Sequence, residues 1–250
     1  MTPTNHILLY GASNLWLSRR AALTELRKRF PGRLEIGLAN GPGRSYGLRA
    51  GNPLVRYEPL SKVKFPFQSK ADGVKLALVT DIGNDIAYSQ RPEQVVQWVS
   101  QLTERLESEG YQVIVGGIPA KSLARLHPLF FKTLAKFYYP DGSVSKEQVT
   151  RDLEAVELGV YDLCEERGYP HIPLDPDWYS LDRFHLKPSA NTPYWGTILD
   201  SFPVHTPFSS TWSYKVRRPL FPQRFWLIGK ERTSSGRYHN LVPNSSLWVK

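Results

Sequence analysis

The chain has 250 residues, 41% of them hydrophobic and 22% charged, with a formal net charge of +9. That length suits one large domain, or one domain with an extension, and supplies enough apolar residues for a core. A single cysteine, Cys164, excludes an intramolecular disulfide and any multi-cysteine metal site, and the six histidines lack the spacing of a metal-binding pair. No apolar stretch approaches the roughly 18 residues that span a bilayer, and the run Ile7 to Tyr10 is too short for a secretory signal. These features set cytoplasmic residence, without integral membrane contact, as the expectation.

The first element is the apolar run Ile7 to Tyr10, continuous as in a strand covered on both faces of a parallel sheet. It stops at Gly11, and Ser13 then stands at the start of a helix from Leu15 to Phe30, closed by Pro31-Gly32. Arg33 to Asn40 reads as a second strand, followed by the loop Gly41-Pro42-Gly43-Arg44-Ser45-Tyr46-Gly47. Residues 52 to 73, rich in proline and lysine, have no clear period and read as an irregular surface excursion. Lys75 to Asp81 is a third strand, ending at Ile82-Gly83-Asn84-Asp85.

Pro92 opens a helix through Glu109, since proline is tolerated in a first turn, and Gly110 ends it. Tyr111 to Ile118 is the fourth strand. Two helical stretches follow, Lys121 to Tyr138 and Lys146 to Arg167, separated by the turn Pro140-Asp141-Gly142. His171 to Leu174 is a short fifth strand, and beyond it lies Asp182-Arg183-Phe184-His185. Strands alternating with helices require crossovers, which imply an α/β fold with a parallel sheet and helices on both faces. In such sheets ligands sit beyond the carboxyl ends of the strands, and Ser13, the Gly41 to Gly47 loop and Asn84 all follow strand ends.

These segments supply what acyl transfer needs. A serine hydroxyl becomes a nucleophile when a base takes its proton, and the tetrahedral intermediate needs donors aimed at its oxyanion. Asp182 and His185, three residues apart, allow a carboxylate to hold one imidazole nitrogen while the other faces Ser13. The expected oxyanion donors are the Ser13 N–H, the Gly43 N–H and the Asn84 amide, with Gly41 and Gly47 as alternatives to Gly43. With His185 as base, activity is expected to fall below about pH 6.

Through Gly11-Ala12-Ser13-Asn14-Leu15, Gly43, Gly83-Asn84-Asp85 and Asp182-Arg183-Phe184-His185, residues 6 to 190 resemble the SGNH or GDSL-type esterases and lipases. The resemblance implies a flavodoxin-like three-layer α/β/α sandwich with a five-stranded parallel sheet in the order 2-1-3-4-5. It also implies Ser13 as nucleophile, His185 as base, Asp182 as its orienting carboxylate, and Gly43 and Asn84 as oxyanion donors. The substrate class so implied is a small acyl ester, with no metal or other cofactor. The chain departs from the family pattern at Ala12, where Asp is usual, at Asn14, where Leu is usual, and at Ile82, which replaces a glycine.

Two other readings exist. An acyltransferase or a catalytically silent binding module fits the same fold. A nucleotide-binding protein fits less well, because the spacing from Gly43 to Gly47 exceeds the dinucleotide fingerprint by one residue and no acidic ribose ligand follows at about 20 residues. Pocket walls are expected from residues 44 to 73 and 120 to 145.

Residues 1 to 200 thus form the expected catalytic domain and 201 to 250 an extension. The extension has eight basic residues against one acid, Glu231, and holds +7 of the net charge. Its aromatics, among them Phe208, Trp212, Phe225, Trp226 and Trp248, are too many to be left wet, so packing against the domain or self-association is expected. Its charge admits an anionic partner such as a carbohydrate or a membrane surface, with nucleic acid the weaker expectation.

Overall fold

The computed structural model describes residues 3–30, 32–51, 55–67, 71–138 and 144–202, and the backbone of 224–227, 230–233 and 246–249. The turn expected at Pro140-Asp141-Gly142 and the aromatic side chains of residues 203–250 lie outside the described residues.

Five parallel strands form the centre of the molecule: β1 (Thr4–Tyr10), β2 (Arg33–Ala39), β5 (Lys75–Val79), β6 (Gln112–Gly116) and β7 (His171–Ile172). Their spatial order is β2-β1-β5-β6-β7, which is the expected order 2-1-3-4-5. β1 alternates strictly across the sheet. Leu8 and Tyr10 face a core shared with Val95, Val99, Leu102 and Leu106, whereas Ile7 and Leu9 face Leu15, Leu26, Trp195 and Leu199. Both faces are dry, so each fully buried Leu or Ile contributes about 1.5–3 kcal/mol relative to exposure, and the run reads as uniformly apolar.

The first of these faces is covered by α2 (Pro92–Ser108) and α5 (Lys146–Arg167), the second by α1 (Ser13–Arg29) and α6 (Asn191–Asp200). Each helix carries its own punctuation. Pro92 occupies the first turn of α2, Ser145 caps α5 by accepting the Gln148 N–H at 3.1 Å, and Gly168 ends α5 in a left-handed conformation.

The single helix expected over Lys121 to Tyr138 is two helices, α3 (Ala120–Ala124) and α4 (Pro128–Tyr138). Pro128 has no N–H and disfavours a helical conformation at the preceding residue, so the first helix stops short and proline starts the second. Within the stretch expected to be irregular, β3 (Ala50–Gly51) and β4 (Arg56–Tyr57) form a small antiparallel pair, and Leu60–Lys62 make a 3₁₀ turn.

The extension adds structure that the pattern did not suggest. β8 (Arg224–Leu227) and β9 (Lys230–Thr233) pair antiparallel, and β10 (Ser246–Val249) lies parallel to β2, with Leu247 opposite Ile36. The sheet is therefore six-stranded, in the order β10-β2-β1-β5-β6-β7. The terminal residues of β1, β2 and β5 stand side by side, Tyr10 being in register with both Ala39 and Val79. Whatever follows these strands emerges at one rim.

Candidate active site

Three strand exits and one loop meet at this rim. The chain leaves β1 through Gly11, where a Cβ would come within 2.9 Å of Leu15 Cβ and 3.1 Å of Thr80, so only glycine permits the tight entry into α1. Ser13 is then the first residue of α1, half-buried. Neither Ser13 nor Asn14 caps this helix: the N-cap position is Ala12, which has no side chain able to accept.

The cap comes from across the sheet. Asp81, just past β5, accepts the Ala12 N–H at 2.7 Å and the Leu15 N–H at 2.9 Å, both on Oδ2. Its backbone is left-handed, with φ at 58°, an uncommon state for a residue with a Cβ. Burial raises the Asp81 pKa, while the two N–H donors, Asn14 and the nearby His185 oppose the rise.

Asn14 has a different task. Its Nδ2 donates to the Phe184 carbonyl at 3.0 Å, and its Oδ1 accepts the Leu186 N–H at 2.8 Å. The residue adjoining Ser13 is thereby fastened to the chain on both sides of His185.

Within that segment Asp182 and His185 meet as expected, His185 Nδ1 lying 2.7 Å from Asp182 Oδ2. The other carboxylate oxygen accepts the Ser180 hydroxyl at 2.7 Å and the N–H groups of Phe184 and His185, each at 3.0 Å. Arg183 takes a left-handed conformation, φ 63°, to close this turn. Burial works against ionisation of Asp182, but the hydrogen bonds from His185, Ser180 and Phe184 outweigh it and hold the carboxyl far below its ordinary range. The hydrogen bond to Asp182 in turn raises the His185 pKa against the opposing effect of burial, helped by the charges of Asp182 and Asp81. Among the described residues, neither His185 Nε2 nor the Ser13 hydroxyl donates to or accepts from another protein group.

The Gly41 to Gly47 loop and the Asn84 turn are also joined. Asn84 Nδ2 donates to the Arg44 carbonyl at 3.3 Å. The buried Asp85 carboxylate accepts from the Ser45 hydroxyl and from the Tyr46 N–H, tying the loop after β2 to the turn after β5. Gly43 has φ 64°, and a Cβ there would meet Tyr88 Oη at 2.8 Å and the Gly51 carbonyl at 3.1 Å. Of the three glycines, Gly47 already donates its N–H to Ser45 Oγ at 3.1 Å, whereas no hydrogen bond occupies the Gly43 N–H among the described residues.

A hollow of about 240 Å³ opens beside the Asp182 turn, lined by Tyr179, Ser180, Leu181, Arg183 and Lys187. These residues lie outside the two segments expected to form pocket walls. Sequence pattern shows Asp81 only as a strand end and Asn14 and Asp85 only as motif neighbours, without the long-range hydrogen bonds they make. The signal for Asp81 was present in Lys75 to Asp81, where a charged residue directly follows an otherwise apolar strand. Among the described residues no cluster of three or more His, Cys, Asp and Glu side chains is placed to hold a metal ion, and no helix is long and apolar enough to cross a membrane.

No family model matches the chain, and no curated protein matches it in sequence. Solved structures do resemble it. The native aryl esterase of M. smegmatis is similar over 79% of this chain and 97% of its own, at 12% identity and a TM-score of 0.53. A carbohydrate acetylesterase from Sinorhizobium meliloti is similar over the same shares, 79% and 97%, at 14% identity and a TM-score of 0.53. At such identities the likeness is one of fold: a parallel α/β sandwich of the SGNH-hydrolase type. The resemblance read from the short motifs is thus matched by the architecture.

Proposed function

We propose that the protein is a serine esterase that hydrolyses a small acyl ester through Ser13, His185 and Asp182. The observation that supports this most is the closed Asp182–His185 pair, 2.7 Å apart, on a turn fastened by Asn14, the residue next to Ser13. A carboxylate so placed fixes the imidazole tautomer, leaving Nε2 as the basic nitrogen.

In this reading His185 Nε2 takes the Ser13 proton as Oγ attacks the ester carbonyl. The carbonyl oxygen gains negative charge and is met by the Ser13 N–H, the Gly43 N–H and the Asn84 amide. Collapse expels the alcohol, which receives the proton from His185, and leaves an acyl-serine. Water, deprotonated by the same imidazole, then releases the carboxylic acid and frees Ser13. Catalytic hydrogen bonds are often longer in an unliganded site than in the reacting complex, which accommodates a Ser13 hydroxyl without a partner.

The test is covalent. A serine-reactive phosphonate should label Ser13 alone, and the Ser13→Ala protein should lose both labelling and turnover of a chromogenic acetyl ester. Labelling of a different residue, or full turnover in Ser13→Ala, would overturn the assignment.

A further inference from the structure

The half-buried carboxylate of Asp81 is a charged group at this rim that the mechanism above leaves unused. It sits where α1 needs an acceptor and has none of its own, because residue 12 is alanine. By taking the Ala12 and Leu15 N–H groups on one oxygen, at 2.7 and 2.9 Å, it satisfies the two amides that bracket Ser13 and Asn14. The next amide, Trp16 N–H, returns to the Ala12 carbonyl at 3.0 Å. The amides of Ser13 and Asn14 are thereby left uncommitted among the described residues, at the positive end of the helix beside the hydroxyl.

The buried side chains of Tyr46, Tyr179 and Tyr194 each feel the charge of Asp81, and Tyr46 and Tyr194 are hydrogen-bonded to Thr80, through its carbonyl and its hydroxyl respectively. These phenols stay neutral, so the charges acting on the His185 imidazole are Asp182 from its own turn and Asp81 from the end of β5. In a site with little water, a charge acts more strongly than at the surface. Asp81 also keeps a left-handed backbone, φ 58°, a conformation uncommon for a residue with a Cβ that tends to persist at functional sites.

We propose that Asp81 is a positioning residue of the Ser13 site: its one carboxylate oxygen caps α1 from another strand, so that the Ser13 hydroxyl and amide face the reacting centre. The charge of the same carboxylate acts on the imidazole of His185 in the sense that favours its protonated form, beside that of Asp182. This assignment rests on Ser13 and His185 being nucleophile and base.

Asp81→Asn separates the two tasks, because an amide oxygen still accepts both N–H groups and Asn tolerates the left-handed backbone, but the charge is gone. Turnover of p-nitrophenyl acetate by the full-length chain, measured across pH, is expected to show kcat reduced about 10-fold or more with KM little changed, a loss on the scale of misplaced or destabilised acid–base groups. The acid limb of the pH profile should move to lower pH, since a charge that favoured protonated His185 has been removed. Asp81→Ala, which loses the cap as well, should be slower still and should label more slowly with the phosphonate.

A kcat within two-fold of wild type in Asp81→Asn, with the acid limb unmoved, would overturn the proposal. If Asp81→Ala fails to fold, the Asn variant still decides. Wild-type protein that labels at Ser13 while Asp81→Asn behaves identically would refute the role of Asp81 alone. Wild-type protein that does not label at Ser13 would remove the esterase reading and this role together.

Discussion

Asn14 holds His185 without touching its ring, by gripping the Phe184 carbonyl at 3.0 Å and the Leu186 N–H at 2.8 Å. Two groups 171 positions apart in sequence are thereby set at a fixed separation, and the restraint belongs to the backbone of the turn, not to the imidazole. A leucine at this position would have no such donor and acceptor. Replacing Asn14 by alanine removes the acceptor of the buried Leu186 N–H and one donor to the Phe184 carbonyl, and an unsatisfied buried group costs about 1–3 kcal/mol. Asn14→Ala should therefore melt at lower temperature, and kcat/KM should fall by about 10²-fold, the penalty typical of a small displacement of a catalytic group. Steady-state kinetics beside a thermal melt checks this; unchanged kcat/KM in a folded variant would show that the turn needs no clamp.

The Asp182–His185 pair makes activity and stability respond to pH in opposite senses. As the proposed base, His185 would act only when neutral, and its pKa is raised, chiefly by the Asp182 hydrogen bond, so the acid limb of kcat/KM should lie above the ordinary value of about 6.5. This places the loss of activity higher than the pH of about 6 expected from an unperturbed histidine. For stability the raised histidine contributes fully below its unfolded pKa and loses its contribution as pH rises through the folded one. The depressed Asp182 contributes above its unfolded pKa and loses its contribution only in strong acid. The pair therefore stabilises most between about pH 4 and 6.5. Asp182→Asn should lower the melting temperature more at pH 5.5 than at pH 9, and should reduce kcat by about 10⁴-fold, as loss of a triad carboxylate does. An equal melting penalty at both pH values would exclude this linkage.

The sheet was legible because β1, β5 and β6 are buried on both faces and so carry the apolar runs Ile7 to Tyr10, Leu76 to Val79 and Val113 to Val115, with glycine at the exits of β1 and β6. Asp182, three residues from His185, was legible because the contact between them is local. What pattern could not reveal were the long-range uses of polar side chains. Asn14 next to Ser13 looks like an N-cap, and nothing in the local sequence says that its partners are at 184 and 186. Asp81 looks like the end of a strand, and only the adjacency of β1 and β5 turns it into the cap of α1. The break at Pro128 was readable in principle, since proline starts helices better than it continues them. β10 escaped because four residues pairing with the edge of β2 carry too little period to register, whereas their backbone pairing is plain in three dimensions.

Asn84 separates binding from catalysis. Its amide already donates one hydrogen to the Arg44 carbonyl at 3.3 Å, which fixes the side chain and leaves the second N–H for an oxyanion. An interaction made with charge that develops only in the transition state affects kcat and not KM. Asn84→Ala should lower kcat by about 10²- to 10³-fold with KM nearly constant, the range for one lost oxyanion donor. A rise in KM at constant kcat would instead make Asn84 a substrate-binding group.

β10 covers one edge of the sheet, and its removal tests what that edge does when bare. β2 is buried along Leu34 to Ala39, and its outer side is paired with Ser246–Val249. Deleting residues 246–250 exposes a row of strand N–H and C=O groups, which invites pairing with another chain. The truncated protein should show faster amide exchange along Glu35 to Leu38 and concentration-dependent dimers or larger species by light scattering. The Ser13 rim is held by Asp81, Asn14 and Asp85, whereas β10 pairs with the outer side of β2, so kcat/KM of the monomeric fraction should stay within about two-fold of the full chain, the scatter expected for distant independent sites. A monomer whose exchange along β2 is unchanged would show that β10 protects nothing in solution, and the edge would then need another explanation for its solubility.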